Sequence, residues 1–314
     1  MTVKQMKKYA VPVIAAAMCL GTGMSAFAGT WLSNAYGPGT WRYIDTNELA
    51  QSGWKWLDGN KDGLYECYYF EPDGRLAQGT TVDGYTVDAD GAWTENGVIQ
   101  RRSYPQWLSV STVRQEGASL DFKYPSIKLS GNEAGAKAAN DFVAKIVSSA
   151  EKMQEEALAD AAADASAQIT TTNNIDYDIV LSRNGRYAGV SVQNDFYGGG
   201  AHGLETEGYV TLTPEKGVLQ IADIGGTELQ NAITQSVRKT LKSRVDSGAL
   251  MLFDSADKVN IDFSKNSWML ANDGLHVVFQ EYEIAPYSEG IIDVCVPYSD
   301  IQSALNAYGR TLAE

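Results

Sequence analysis

Histidine is almost missing from this chain of 314 residues, with His202 and His276 the two present, and cysteine is nearly as scarce at three. So little cysteine excludes a disulfide-dense scaffold. A zinc site of histidine and carboxylates would need His202 and His276 to converge from distant parts of the sequence. Positive charge is also in deficit, since Lys and Arg total 25 against 39 Asp and Glu, for a formal net charge of −14. Such a chain repels nucleic acid and anionic lipid, so neither is an expected partner; the charge serves solubility or draws cationic partners. The one long apolar run, Tyr9 to Leu20, is shorter than the roughly 20 residues of a bilayer span, and no membrane span is expected. Catalytic signatures are missing too. No nucleophile stands beside a base in a familiar motif, and the glycines of YGGGAHG (197–203) are not followed by the Gly-Lys-Ser/Thr of a phosphate loop. No cofactor is expected.

What is present begins with an export signal. Lys4, Lys7 and Lys8 precede the apolar run, and Ala26-Phe27-Ala28 supplies a small-x-small cleavage site. Residues 1–28 therefore read as a signal peptide, with a secreted chain starting at Gly29. Cys19 suggests a lipid anchor less well, because Met18 stands where a small residue is wanted. Cys67 and Cys295 leave two readings open, one disulfide or two buried thiols.

Residues 29–99 are dense in aromatics, among them Trp31, Trp41, Trp54, Trp56, Tyr69, Tyr85 and Trp93, set between Gly and Asp turns. Units this short cannot each hold a core, because a lone hairpin is marginal in water. Stacked hairpins bury their aromatics against one another and leave aromatic faces in the grooves between them. Within this region Asp58-Gly-Asn60-Lys-Asp62-Gly63 copies the first half of a calcium loop. Tyr69 stands where the twelfth-position Glu belongs, while Glu66 fills the ninth, so a plain Asp/Asn/Gly turn is favoured over a metal site.

A polar linker is expected over 100–117 and a second domain over 118–314. YPSIKL (124–129) reads as a strand. Ser130 and Glu133 stand at capping-box spacing before an Ala-rich helix reaching toward Gln168, with Ala138, Phe142, Ile146, Ala150, Met153 and Ala157 as its apolar stripe. Period-two segments follow: Ile175 to Leu181 and Tyr187 to Gln193 around an Asn184-Gly185 turn, then Gly208 to Leu212 and Val218 to Ile221. Thr227 and Gln230 would cap a helix carrying Leu229, Ile233, Val237, Leu241 and Val245. Trp268 to Leu270, Leu275 to Ile284 and Gly290 to Val296 read as strands, and Tyr298 to Tyr308 as a closing helix. The fold class implied is α+β: an N-terminal, solenoid-like β-hairpin module, then an antiparallel sheet with a long helix on one face.

Tyr197, His202, Glu283 and Tyr287 are the candidate functional surface of the second domain, because they flank the Gly-rich strand ends that packing explains least. Alternation puts Glu281 and Glu283 on the face of Leu275, Val277 and Phe279, unless a bulge re-aims them or they lie past the sheet's edge. His276, mid-strand, reads as structural.

The strings SGWKWLDGN, YECYYFEPDGRLAQGT and VDGYTVDADGAW resemble the cell-wall-binding repeats of Gram-positive surface proteins, of the choline-binding and glucan-binding type. The resemblance implies pockets of two aromatics from one hairpin and one from the next, here Trp54, Trp56, Tyr69, Tyr85 and Trp41. GGGAHG and YEIAPYSEG, with YPSIKL and VPYSDIQSAL, resemble over 118–308 an extracytoplasmic domain family found in lysozyme-sensing anti-sigma factors and beside secreted peptidoglycan deacetylase domains. Together these imply a secreted, wall-associated, non-catalytic binding protein. Its repeats would hold a wall polymer (peptidoglycan, teichoic acid choline or glucan), and its second domain would bind glycan or a protein such as lysozyme. The rival is a wall-glycan hydrolase or deacetylase-type enzyme, with Glu283 and either His202 or Asp195 as acid–base groups.

Overall fold

The computed structural model describes residues 30–34, 37, 39–45, 48–49, 53–60, 62–117, 119–163, 171–265 and 267–314. The expected signal peptide, residues 1–28, lies outside them. The chain divides into two compact units, one ending at Pro105 and one beginning at Gln106.

The first unit is built from short antiparallel strands in three small sheets. β1 (Thr30–Ser33), β2 (Trp41–Asp45) and β3 (Glu48–Leu49) form one. β4 (Gly53–Leu57) and β5 (Leu64–Phe70) form the next with a strand from the unit's end. A third contains β6 (Thr80–Val82), β7 (Tyr85–Val87), β8 (Trp93–Glu95) and β9 (Val98–Ile99); β10 (Arg101–Ser103) returns to pair with β5. The β6–β7 hairpin turns on Asp83-Gly84, with φ of 52° and 85°. That left-handed pair is what a two-residue hairpin of matching twist requires. The hairpins share an aromatic core in place of the missing aliphatic one: Trp31, Trp41, Tyr43, Tyr68 and Phe70 are buried with Leu57, Leu76 and Ala92.

The second unit opens with β11 (Leu108–Gly117) and β12 (Leu120–Leu129), paired along their whole length. The segment expected to be a linker is therefore mostly strand: β10 and β11 occupy it, and their polar residues face solvent as sheet edges do. A long helix, α1 (Glu133–Ala163), then leads to β13 (Thr172–Leu181), which lies parallel to β12 over Leu120–Phe122. A parallel neighbour needs such a crossover, and the helix supplies it. β14 (Ala188–Tyr197), β15 (Leu204–Thr213) and β16 (Gly217–Val218) complete a six-stranded sheet in sequence order.

Asn132, not Ser130, caps α1: its Oδ1 accepts from the Gly135 amide at 2.8 Å. The helix start lies tight on β16, where a Cβ on Gly217 would come 2.3 Å from the Gly135 Cα. The buried stripe is Ala139, Phe142, Val143, Val147 and Ala150, while Ala138 is exposed.

After α2 (Ile221–Ile224), α3 (Thr227–Asp246) packs on a second sheet of β17 (Trp268–Leu270), β18 (Gly274–Phe279) and β19 (Ile292–Pro297). Leu229, Ile233, Val237 and Leu241 meet Leu275, Val277, Phe279, Val294 and Val296; Val245, at the helix end, is exposed. Gly226 occupies the N-cap position, so the expected Thr227 cap is absent. The closing helix is two pieces, α4 (Tyr298–Ile301) and α5 (Ala307–Ala313), because Asn306 caps the second through the Gly309 amide. The class is α+β, with mostly antiparallel sheets and a long helix against one of them.

Candidate functional site

Candidate functional side chains gather on an aromatic face of the first unit and around one strand-end cluster of the second. In the first, strand alternation sends Tyr68 and Phe70 inward and Tyr69 to the opposite face. Tyr69 sits directly across from Trp54. Trp54 packs edge-to-face on Tyr69 at 5.3 Å between centroids, on Tyr85 at 5.7 Å and on Trp93 at 6.4 Å. Tyr85 meets Trp93 at 5.3 Å, and Trp56 reaches Trp93 at 5.9 Å. Two hairpin systems thus build one continuous aromatic face that is open to solvent, Tyr85 retaining 47% of its surface. Asp83 stands at its rim, its Oδ2 3.4 Å from the Trp54 Nε1, and the Arg102 guanidinium covers Trp56 at 4.0 Å.

Four of the five aromatics expected to bind therefore converge, and one does not. Trp41 is 8% exposed and packs against Trp31 in the inner core, so its role is structural. Trp93 is the residue the sequence reading left out. The half calcium loop closes on itself: Asp58 accepts from the Asp62 and Gly63 amides, and Asp62 from the Leu64 amide. Burial pushes the Asp58 carboxyl up to about 6 against those hydrogen bonds. Glu66 is turned toward Arg101, 2.9 Å away.

In the second unit the site lies where β14 ends, β15 begins and the chain leaves β18. Gln280 follows that strand, and its side-chain amide pairs with the backbone of Glu207 on β15. Its Oε1 accepts from the Glu207 amide at 2.9 Å, and its Nε2 donates to the Glu207 carbonyl at 2.7 Å. The next residue, Glu281, then accepts from the Glu205 amide at 3.1 Å. Tyr282 turns the chain with φ of 63°, a conformation uncommon for an aromatic residue. Its hydroxyl lies 3.1 Å from His202 Nε2. His202 Nδ1 is 2.8 Å from the Gly203 carbonyl, which only accepts, so Nδ1 carries the proton. Tyr287 stacks on the imidazole, with centroids 3.9 Å apart, and its ring also lies 5.9 Å from that of Tyr282.

Carboxylates crowd beneath these rings. Asp195 faces Glu205 across the β14–β15 pair, with Glu281 beside them. Burial first, and then the Glu281 charge, push Asp195 up to about 7, while a hydrogen bond to Glu205 works the other way. Glu281 is raised by its own burial. Burial and the nearby Glu281 and Glu205 charges raise the Tyr287 phenol as well.

Of the four residues expected here, His202 and Tyr287 are in direct contact. Tyr197 is committed to its own loop, donating to the Gly200 carbonyl at 3.0 Å. Glu283 is exposed and accepts from the Gln280 amide, closing the turn. The carboxylate that reaches the site is Glu281, which lies past the end of β18; of the two alternatives for this segment, the sheet's edge is the one observed. His276 is elsewhere, bonded to Asp273 and Asp293.

Residues 224–299 match the DUF3298 family model, described as a protein of unknown function. Two solved structures are similar. A DUF3298 family member from Bacteroides fragilis NCTC 9343 is 14% identical, covering 64% of this chain and 93% of its own, with a TM-score of 0.42. A DUF3298 family protein from Pseudomonas aeruginosa PAO1 is 14% identical, covering 65% and 95%, with a TM-score of 0.44. A search of curated proteins found no match. Among the described residues no helix is long and apolar enough to cross a membrane.

Proposed function

We propose that the chain is an exported, non-catalytic binding protein held at the bacterial cell wall by the open aromatic face of its first unit. The observation that carries this reading is the set of Trp54, Tyr69, Tyr85 and Trp93, four rings from two hairpin systems that stay partly exposed while a separate aromatic core holds the unit together. A solvent-open aromatic surface suits the apolar face of a sugar ring or a quaternary ammonium, the latter at about 0.5–2 kcal/mol per cation–π contact. Asp83 at the rim adds a negative charge that favours the ammonium. Peptidoglycan, glucan and the choline of teichoic acid all offer one or the other.

Titration of tryptophan emission in the full mature chain, against soluble wall glycan, glucan oligosaccharide and choline, tests this directly. One of them should shift the emission saturably, and Tyr85→Ala should abolish the shift. No response to any of the three contradicts the proposal.

The second unit supplies the second contact, with glycan or a basic protein such as lysozyme. His202, Tyr282 and Tyr287 offer stacked rings and hydrogen-bonding groups, and Glu205 and Glu281 offer negative charge. Association with a basic protein at such a surface should weaken as salt rises, because exposed charges are screened within about 8–10 Å at physiological ionic strength.

A second reading rests on Asp195. A carboxyl held near neutrality beside a second carboxylate is what a general acid needs. Under that reading the chain is a wall-glycan hydrolase or deacetylase. Turnover of wall fragments that disappears in Asp195→Asn would favour it over binding alone.

A further inference from the structure

His276 occupies the middle of β18 and points away from the helix-covered face that holds Leu275, Val277 and Phe279. Its direct cross-strand neighbour on β19 is Cys295, a half-buried free thiol. Two residues earlier on β19 stands Asp293, whose Oδ2 lies 2.7 Å from His276 Nδ1. Asp273, just before β18, places Oδ1 3.0 Å from His276 Nε2. The ligand atoms of Asp273, His276 and Cys295 all lie within 4.8 Å of one another.

We propose that Asp273, His276 and Cys295 form a binding site for a zinc-type divalent metal ion, with Asp293 orienting the histidine. Donor chemistry is the first argument. Thiolate, imidazole and carboxylate are the three ligand types zinc takes in proteins. Spacing is the second. Bonds of about 2.0–2.3 Å place tetrahedral ligands roughly 3.3–3.8 Å apart. The Asp273–His276 pair already stands close to that separation, and the exposed Asp273 side chain can open the gap the ion needs.

The surroundings of the histidine are the third argument. A metal-bound imidazole ordinarily donates its other ring N–H to a carboxylate, which fixes the tautomer. Asp293 stands where it can accept that hydrogen bond. It is 9% exposed, and its other oxygen, Oδ1, is buried with no hydrogen-bond partner among the described residues. With Nδ1–H directed at Asp293, Nε2 is left to face Asp273 and the thiol. Binding would release the Nε2 and Sγ protons to solvent, and water would take the fourth position. Two of the three ligands, and the orienting carboxylate, ride on paired strands, so the site is held by a rigid scaffold.

The experiment uses the full mature chain, with Co(II) as a spectroscopic probe and Zn(II) by calorimetry. One equivalent of Co(II) should give a thiolate-to-metal charge-transfer band in the near ultraviolet, and Zn(II) should displace it. Cys295→Ser should abolish the band. Asp293→Asn should keep it while weakening Zn(II) affinity about 10–100-fold, as loss of an orienting partner does. Asp273→Asn, an exposed change that leaves the fold intact, should weaken Zn(II) at least tenfold with unchanged circular dichroism. A folded protein that gives no charge-transfer band overturns the site. So does a band that persists in Cys295→Ser, or Zn(II) affinity that is equal in Asp273→Asn.

Discussion

The imidazole of His202 lies against the ring of Tyr287, with 3.9 Å between centroids and 25° between planes. The contact ties the glycine-rich 198–203 loop to the turn that follows β18. A stacked aromatic pair contributes about 0.5–1.5 kcal/mol. Tyr287→Ala should therefore cost about 1 kcal/mol in urea unfolding and accelerate hydrogen exchange at Gly199, Gly200 and Gly203. Unchanged protection in that loop would show that the stack does not hold it.

Two aromatic residues, Trp41 and Tyr85, separate packing from binding in the first unit. Trp41→Ala empties part of an aromatic core and should cost about 3–5 kcal/mol. Tyr85→Ala removes a ring that keeps 47% of its surface and should cost well under that. Thermal melts of the two variants give the comparison. A Tyr85 variant as unstable as the Trp41 variant would make the open face part of the core.

The contact between α1 and β16 allows no side chain. Gly217 has φ of 70°, and a Cβ there would press on the Gly135 Cα. Gly217→Ala combines left-handed strain with that clash, so a loss of about 1–3 kcal/mol or more is expected. Chemical denaturation measures it; a neutral substitution would mean that the helix start moves freely away from the strand.

Stability should also depend on pH through Asp195. Its folded pKa of about 7 lies above the value of about 3.9 for an unfolded aspartate. The folded chain then holds the extra proton, so stability is greatest below the unfolded value and declines as pH rises from about 4 through about 7. Glu281, raised by burial, pulls in the same direction. Asp195→Asn should flatten the decline seen between urea titrations at about pH 5 and about pH 8. The same slope in variant and parent would exclude Asp195 as its source.

Where local pattern decides structure, the sequence could be read. Period-two runs became β13, β14, β15 and β18, and Asn184-Gly185 lies between β13 and β14 as its turn chemistry demands. Long-range choices were not legible. The parallel β12–β13 pair depends on which edge receives the crossover from α1, and no residue of either strand encodes that. Trp41 and Trp54 look alike in composition, yet one faces the core and the other faces water, because exposure follows from how hairpins stack. Trp93 is placed by the turn over residues 88–92, which sets it across from Val87 and so carries it beside Tyr85 on the same face. At the second site, alternation applied to Glu281 and Glu283 fails because β18 stops at Phe279, and the Gln280 side chain turns to the Glu207 backbone of β15.

Sedimentation of the mature protein with purified cell walls tests the central claim most directly. The parent chain should pellet with the walls, and a Tyr85→Ala, Trp93→Ala double variant should need at least tenfold more wall material for the same retention, with little change in melting temperature. Retention by the folded double variant equal to that of the parent would contradict the account, the more so if Tyr287→Ala alone released the protein.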